Sequence, residues 1–241
     1  MRFALALVVV AAWAVSPAWA EEVLHADVAT AAGRVMAATN ELRRGEGLPA
    51  LKPQRQLEQA AQEFARYMAK TARYGHEADG REPAQRAEAQ GYAYCVVLEN
   101  IAYHYDSRGF TTAALAQHVV DGWKHSEGHR RNMLDARATE TGVAIAQGER
   151  NGYYYAVQMF GLPRSASVAF AVRNESPAAV SYRVGTQRFT LPPGSVRTHE
   201  TCSGEKLAFD NAALEGSPRQ PRRNDEFVVP ASGGPVTVRR K

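Results

Sequence analysis

The sequence predicts an α+β fold followed by a small all-β, sandwich-like domain. Three observations carry this expectation. Apolar residues recur at helical spacing through the first half of the chain. Two strand-like runs joined by a short turn come next. From residue 165 onward no helical period persists, and short β-prone runs alternate with turns.

The chain has 241 residues, enough for one large or two modest domains. Residues 1–20 read MRFALALVVVAAWAVSPAWA, with one arginine, an apolar run and a final Ala18-Trp19-Ala20. That order is the pattern of a secretory signal peptide, with Glu21 as the expected mature start. An uncleaved anchor is the alternative, but the apolar run is short for a span of about 20 residues. The expectation is a secreted or periplasmic protein that is not integral to a membrane once the signal is removed. The formal charge is +4, and a signal carrying only Arg2 leaves +3. This mild basicity, with no basic residues interleaved with aromatics, gives no support to a nucleic-acid partner. The basic stretches RQPRRND (219–225) and VRRK (238–241) read as solvated loop and tail.

Residues 24–42 carry Leu24, Val28, Ala31, Val35, Thr39 and Leu42 on one helical face, ending near Gly45 and Gly47. A second helix follows Pro53, with Leu57, Ala61, Phe64 and Met68 as its stripe. Residues 74–91 are polar and glycine-bearing, with a short helix after Pro83. The run YCVVLENIAY (94–103) is apolar with one embedded carboxylate, Glu99. Thr111 or Thr112 caps a third long helix whose Leu115, Val119 and Trp123 face inward. TGVAIAQ (141–147) and GYYYAVQMFG (152–161) are strand-like, with GERN between them as the turn. The texture changes at LPRSAS. Beyond it SVAFAVRN, AVSYRVG, QRFTLPPG, EKLAF, EFVVP and PVTVRR read as strands of a domain over 165–241. Cys95 and Cys202 are the only cysteines, so at most one internal disulfide forms; it would pin two distant segments together.

The stretch GWKHSEGHRRNML (122–134) places His125 and His129 four residues apart. A zinc protease helix needs glutamate directly after the first histidine, and here Ser126 stands there. Gly128 also weakens a continuous helix. A better reading breaks the helix, with Ser126 as N-cap of a short helix from Glu127 to about Leu134. His129 then lies at the third helical position, where the positive end of the helix favours a neutral imidazole able to bind metal or accept a proton. A plain helix junction with a structurally satisfied histidine explains the same residues.

An ordered set of segments adds to this: ATNELRRGEGLPAL (38–51), AAQEFARYMA (60–69), GHEADGREPAQR (75–86), GYAY (91–94), ENIAY (99–103), GWKHSEGHRRNML, TGVAIA and YYYAVQMFG. It resembles the CAP superfamily of cysteine-rich secretory, antigen 5 and pathogenesis-related 1 proteins, the SCP domain, in its bacterial secreted branch. The likeness covers about residues 24–162 and implies an α-β-α sandwich within a domain over 21–162. It also implies a cleft with two histidines and two glutamates able to hold a divalent metal. His76 matches the first histidine and Glu99 the first glutamate. Ser126 stands where the second glutamate is expected, and Tyr155, three before Gln158, where the second histidine is expected. The bacterial pattern instead offers Ser126, Gly128, His129 and Arg130, so His129 is expected to replace the missing imidazole.

The expected binding cleft is therefore His76, Glu99, Ser126, His129, Arg130, Tyr155 and Gln158, with His76 and His129 as ligands for Zn2+ or another divalent cation, weakly bound. Asn100 and Asn132 read as structural; His125 and His104 read as solvent-facing. Two functions follow. One is a non-enzymatic module that binds a small lipid or a protein component of the envelope. The other is a hydrolase, a protease or esterase, with His129 as base and Glu99 assisting. Binding is favoured, because no nucleophile constellation is evident and a capping serine spends its oxygen on backbone N–H groups.

Overall fold

The computed structural model describes residues 23–202, 204–211, 214 and 218–240. The expected signal peptide over 1–20 and the start at Glu21 lie outside the described residues.

Helix α1 spans Val28–Gly45. It starts four residues later than its apolar stripe suggested, because Asp27 caps it: the Asp27 carboxylate accepts from Thr30 N–H at 3.0 Å. Leu24, counted in that stripe, instead bridges to Gly109 and is exposed. The last turn is tied down by Arg43, which is fully buried. Its guanidinium donates to four backbone carbonyls, those of Pro49, Met133 and Asp135 at 2.9 Å and Ala138 at 3.2 Å.

Strand β1 is only Lys52–Pro53. Helix α2, Arg55–Thr71, buries Leu57, Ala61, Phe64 and Met68 as its spacing predicts. Each such side chain contributes about 1.5–3 kcal/mol by leaving water. Helix α3, Pro83–Ala89, has proline in its first turn and a capping box between Glu82 and Gln85. Strand β2, Tyr94–His104, carries the embedded Glu99. Helix α4, Thr112–His125, is capped by the Thr111 side chain and buries Leu115, Val119 and Trp123; helix α5 is Glu127–Met133. Strands β3, Glu140–Gln147, and β4, Tyr154–Pro163, form the expected antiparallel hairpin.

These four strands make one sheet in the order β1-β3-β4-β2. Strand alternation splits it into two faces. Val143, Ile145, Ala156 and Phe160 pack against α1, α4 and α5, whereas Ala144, Val157 and Met159 pack against α2 and α3. β4 is internal to the sheet and buried on both sides, which explains why its sequence is apolar apart from Gln158. This is the α-β-α arrangement. Gly142 is the point of closest approach between layers, since a Cβ there would collide with the backbone of Leu57 and Glu58 in α2.

After a turn of 3-10 helix at Arg164–Ala166, the regular elements among the described residues are all strands. Strands β5 (Val168–Asn174), β6 (Val180–Val184), β7 (Gln187–Leu191), β8 (Val196–Thr201), β9 (Leu207–Phe209), β10 (Asp225–Val229) and β11 (Thr237–Arg240) form two sheets, β11-β10-β5-β8 and β7-β6-β9. One core joins them: Phe170, Val172, Phe227 and Val229 from the first sheet meet Tyr182, Val184, Leu191 and Phe209 from the second. β8 was not among the runs recognised in the sequence; it lies at the edge of its sheet, and VRTHET exposes most of its residues. Cys95 at the start of β2 is disulfide-bonded to Cys202 just after β8, across a sequence separation of 107.

Candidate functional site

Glu99 points to the α2–α3 face of β2 and is buried, its side chain 1 % exposed. A carboxylate cannot remain charged there without partners, and two are present. His76, in the loop after α2, brings Nδ1 to 2.8 Å from Glu99 Oε1. Arg86, on α3, donates from Nη2 to Glu99 Oε2 at 2.7 Å. Arg86 is itself buried and makes three further bonds, to Asp79 Oδ1 at 2.8 Å, the Arg81 carbonyl at 2.6 Å and the His76 carbonyl at 2.8 Å. Its guanidinium also lies 3.7 Å above the centre of the Phe64 ring. Arg81 extends the network to Asp79 and Glu63.

The arrangement defines what each group can do. A carboxylate only accepts, so Nδ1 of His76 carries a proton, and in the neutral tautomer Nε2 has the lone pair. The His76 side chain is half-exposed. Glu99 orients the imidazole, as a carboxylate behind a metal-binding or basic histidine does. Arg86 was missed in the sequence although it lies within the quoted segment GHEADGREPAQR. Its role follows from packing of α3 on β2, which no local pattern announces.

His129 approaches from the other side of β2. Its carbonyl accepts from Asn100 Nδ2 at 3.0 Å, and Asn132 Nδ2 donates to the Glu99 carbonyl at 3.1 Å and to Asn100 Oδ1 at 2.9 Å. β2 is an edge strand, and side chains cover its outward carbonyls: Trp123 Nε1 and Tyr74 Oη both donate to the Ile101 carbonyl at 3.1 Å. The two asparagines are thus structural, as expected. Burial pushes the His129 imidazole below its ordinary pKa, and the charge of His76 pushes it the same way. The neutral form expected from sequence therefore has a different main cause, desolvation, and the two histidines are close enough to interact. Trp123 and His129 rings are 6.5 Å apart.

The other expected site residues separate. Ser126 has the backbone of an N-cap, and its carbonyl accepts from Arg130 N–H at 2.8 Å, but its hydroxyl makes no capping bond. Contrary to expectation, the serine oxygen is not spent on capping backbone N–H groups. Arg130 pairs with Glu46 at the end of α1, 2.7 Å away on the surface. Gln158 is completely buried on the α1 face, opposite Glu99, accepting from Thr39 Oγ1 and donating to Thr141 Oγ1, both at 3.2 Å. Tyr155 lies on the Glu99 face, but it pairs with Tyr103, not with Glu99, whose partner is Met159. That displacement is about 13 Å along the strand. His125 is exposed as expected. His104 is not: it packs against His118, with Nε2 buried and unpartnered, and burial lowers its pKa.

A divalent cation fits this set poorly. Glu99 Oε2 faces the Arg86 guanidinium, so a cation there would compete with a buried positive charge. That leaves two imidazoles, and among the described residues no group of three or more His, Cys, Asp or Glu side chains is arranged to hold a metal.

Comparison with known proteins bears on this architecture. No curated protein matches the chain. Among solved structures, an outer surface protein of Borrelia burgdorferi is 21% identical over 55% of this chain and 92% of its own, with TM-score 0.47. An extracellular SCP-domain protein from Bacillus anthracis is 23% identical over 56% of this chain, which spans only 41% of that protein, with TM-score 0.47. NaASP2, solved with Zn2+, is 18% identical over 55% of this chain and 79% of its own, with TM-score 0.41. The family profile described as "CAP: Cysteine-rich secretory protein family" matches residues 36–160, which run from α1 into β4 and hold His76, Arg86, Glu99 and His129. Since that match takes in more than half of its 241 residues, the chain belongs to the cysteine-rich secretory protein (CAP) family.

Proposed function

We propose that this chain is a secreted bacterial CAP-domain binding module that recognises a lipid or protein component of the envelope through the cleft beside β2. The observation that supports this reading is the state of Glu99. Both its oxygens are engaged, by His76 and by a buried arginine, an arrangement that suits holding His76 in place. Among the described residues no hydroxyl or thiol is hydrogen-bonded to the ring of His76 or His129, so neither imidazole has a nucleophile to activate. What the cleft offers is recognition chemistry: the half-exposed His76 and the neutral, half-buried His129. In this reading a divalent cation is held weakly, by the two imidazoles with Glu99 orienting His76. No helix among the described residues is long and apolar enough to cross a membrane, which is compatible with export.

Calorimetric titration of zinc into the wild type and His76→Ala tests the cation site; equal binding by both removes it. Co-purification of the exported protein with envelope extract tests recognition. The expected result is a retained lipid or protein whose yield falls in His76→Ala. A ligand-free wild type refutes the module. The hydrolase reading draws support from the neutral His129 and the uncommitted Ser126 hydroxyl. It requires turnover of peptides or esters that disappears in His129→Ala while the fold survives.

A further inference from the structure

Five of the seven large apolar side chains exposed among the described residues gather at one end of the β2–β4 pair: Tyr74, Tyr103 and Tyr105, with Val23 and Leu24 beside them. The three tyrosines are 45%, 50% and 54% exposed. Such a concentration on an otherwise polar surface marks an interaction site. We propose that this cluster is a carbohydrate-binding site, with Tyr103 and Tyr105 as the stacking platform and the adjoining polar cavity as the hydroxyl-reading pocket.

The platform is held from behind. Tyr103 meets Tyr74 edge-on at 4.7 Å between centroids and leans on Tyr153 at 5.7 Å; Tyr105 stacks on Tyr153 at 5.0 Å. Tyr74 is fixed by its bond to the Ile101 carbonyl, and burial pushes its phenol up to about 12. Tyr155, at the base, accepts from Asn151 Nδ2 at 3.1 Å. Gly152 lies under the Tyr105 ring, in a backbone conformation with φ of 68°. Rings fixed this way lose little conformational freedom when a ligand lands on them.

Tyr105 also forms one wall of a cavity of about 330 Å³. Its other polar walls include Asp106, Ser107, Gln147 and Arg150: a carboxylate, a hydroxyl, an amide and a guanidinium. Such groups donate to and accept from vicinal hydroxyls, and a volume of this size lies within the range of small-ligand sites. A pyranose matches both halves of the site. Its axial C–H bonds carry partial positive charge and suit the negative face of an aromatic ring, while its equatorial hydroxyls reach the polar walls. β-Linked, equatorially substituted sugars present the flattest faces and are the class the site fits.

The geometry disfavours two other occupants. A polyproline helix docks between aromatic ridges, whereas here Tyr103 and Tyr105 each pack against Tyr153 at centroid separations of 5.7 and 5.0 Å. An anionic lipid surface wants a uniformly basic rim, and Asp106 stands in this one.

The test uses the mature chain with β-1,4-linked tetrasaccharides of glucose and of N-acetylglucosamine, with an α-1,4-linked glucose tetrasaccharide as control, read by calorimetry and by chemical shifts. The expected result is binding of a β-linked oligomer, weakened by about tenfold or more in Tyr105→Ala, the loss of one aromatic stacking contact. Tyr105→Trp should retain binding, and His76→Ala should leave it unchanged, which separates this site from the cleft beside Glu99. Tyr105 is exposed, so near-UV circular dichroism will show both variants folded. No binding of any tetrasaccharide, equal binding by Tyr105→Ala, or a response to a proline-rich peptide or anionic vesicles in place of sugar would overturn the proposal.

Discussion

Replacing Arg86 by methionine isolates the buried ion pair that lies behind His76. Methionine keeps most of the apolar stem and its contact with Phe64 but removes the guanidinium. Glu99, 1% exposed, then keeps only His76; Asp79, 4% exposed, keeps only Arg81. Breaking one partner of a buried ion pair costs about 3–5 kcal/mol, because the surviving charge stays out of water without compensation. For a domain whose total stability is about 5–15 kcal/mol, that is a large share. The effect has a pH signature. A buried carboxylate without its cation has a raised pKa in the folded state, so the unfolded chain binds fewer protons and the variant loses stability as pH rises. Urea denaturation followed by near-UV circular dichroism should therefore show a larger loss relative to wild type at pH 7.5 than at pH 5.5. Adding Glu99→Gln should recover part of it, since the buried charge is then gone. A loss under about 1 kcal/mol at pH 7.5, or one that grows toward pH 5.5, would show that Arg86 does not hold Glu99 in its charged form.

Reduction of the Cys95–Cys202 bond releases a loop of 107 residues, and loop entropy sets the cost near 4–5 kcal/mol; a Cys202→Ser variant with an unchanged urea midpoint would refute this. Gly142→Ala should destabilise by about 1–3 kcal/mol or more, because the added methyl meets the α2 backbone, which cannot give way as a flexible side chain does; a midpoint equal to wild type would show that the layers are looser than described. His104, His129 and His199 all have pKa values lowered, chiefly by burial. The unfolded chain then binds protons first as pH falls through the ordinary histidine range near about 6.5, so stability should drop from pH 7.5 to pH 5. A higher urea midpoint at pH 5 would contradict it.

Helices and hairpin were legible because their signals are local. Leu57, Ala61, Phe64 and Met68 form a stripe whatever lies opposite, and the GERN turn separates two runs of β-prone residues. The site was legible only in part. His76 and Glu99 were recognised from ordered motifs, and the structure brings them to hydrogen-bonding distance. Gln158 was assigned to the cleft from motif position, yet strand alternation sends it to the opposite face, beside Thr39. Arg86 carried no signal, since its four partners come from four different positions along the chain. β8 was hidden because a strand at a sheet edge need not show an apolar period.

Arg43 places its charge against carbonyl dipoles inside the protein, and among the described residues no carboxylate is hydrogen-bonded to it, although Asp135 is near enough to favour the charged form. Dissolved ions weaken attraction between surface charges such as Arg131 and Glu127, but they do not reach a guanidinium sealed among peptide groups. The junction between the first helix and the turn that follows α5 is therefore less sensitive to ionic strength than the exposed ion pairs are. That clasp persists at salt concentrations that quench the attraction between the peripheral charges.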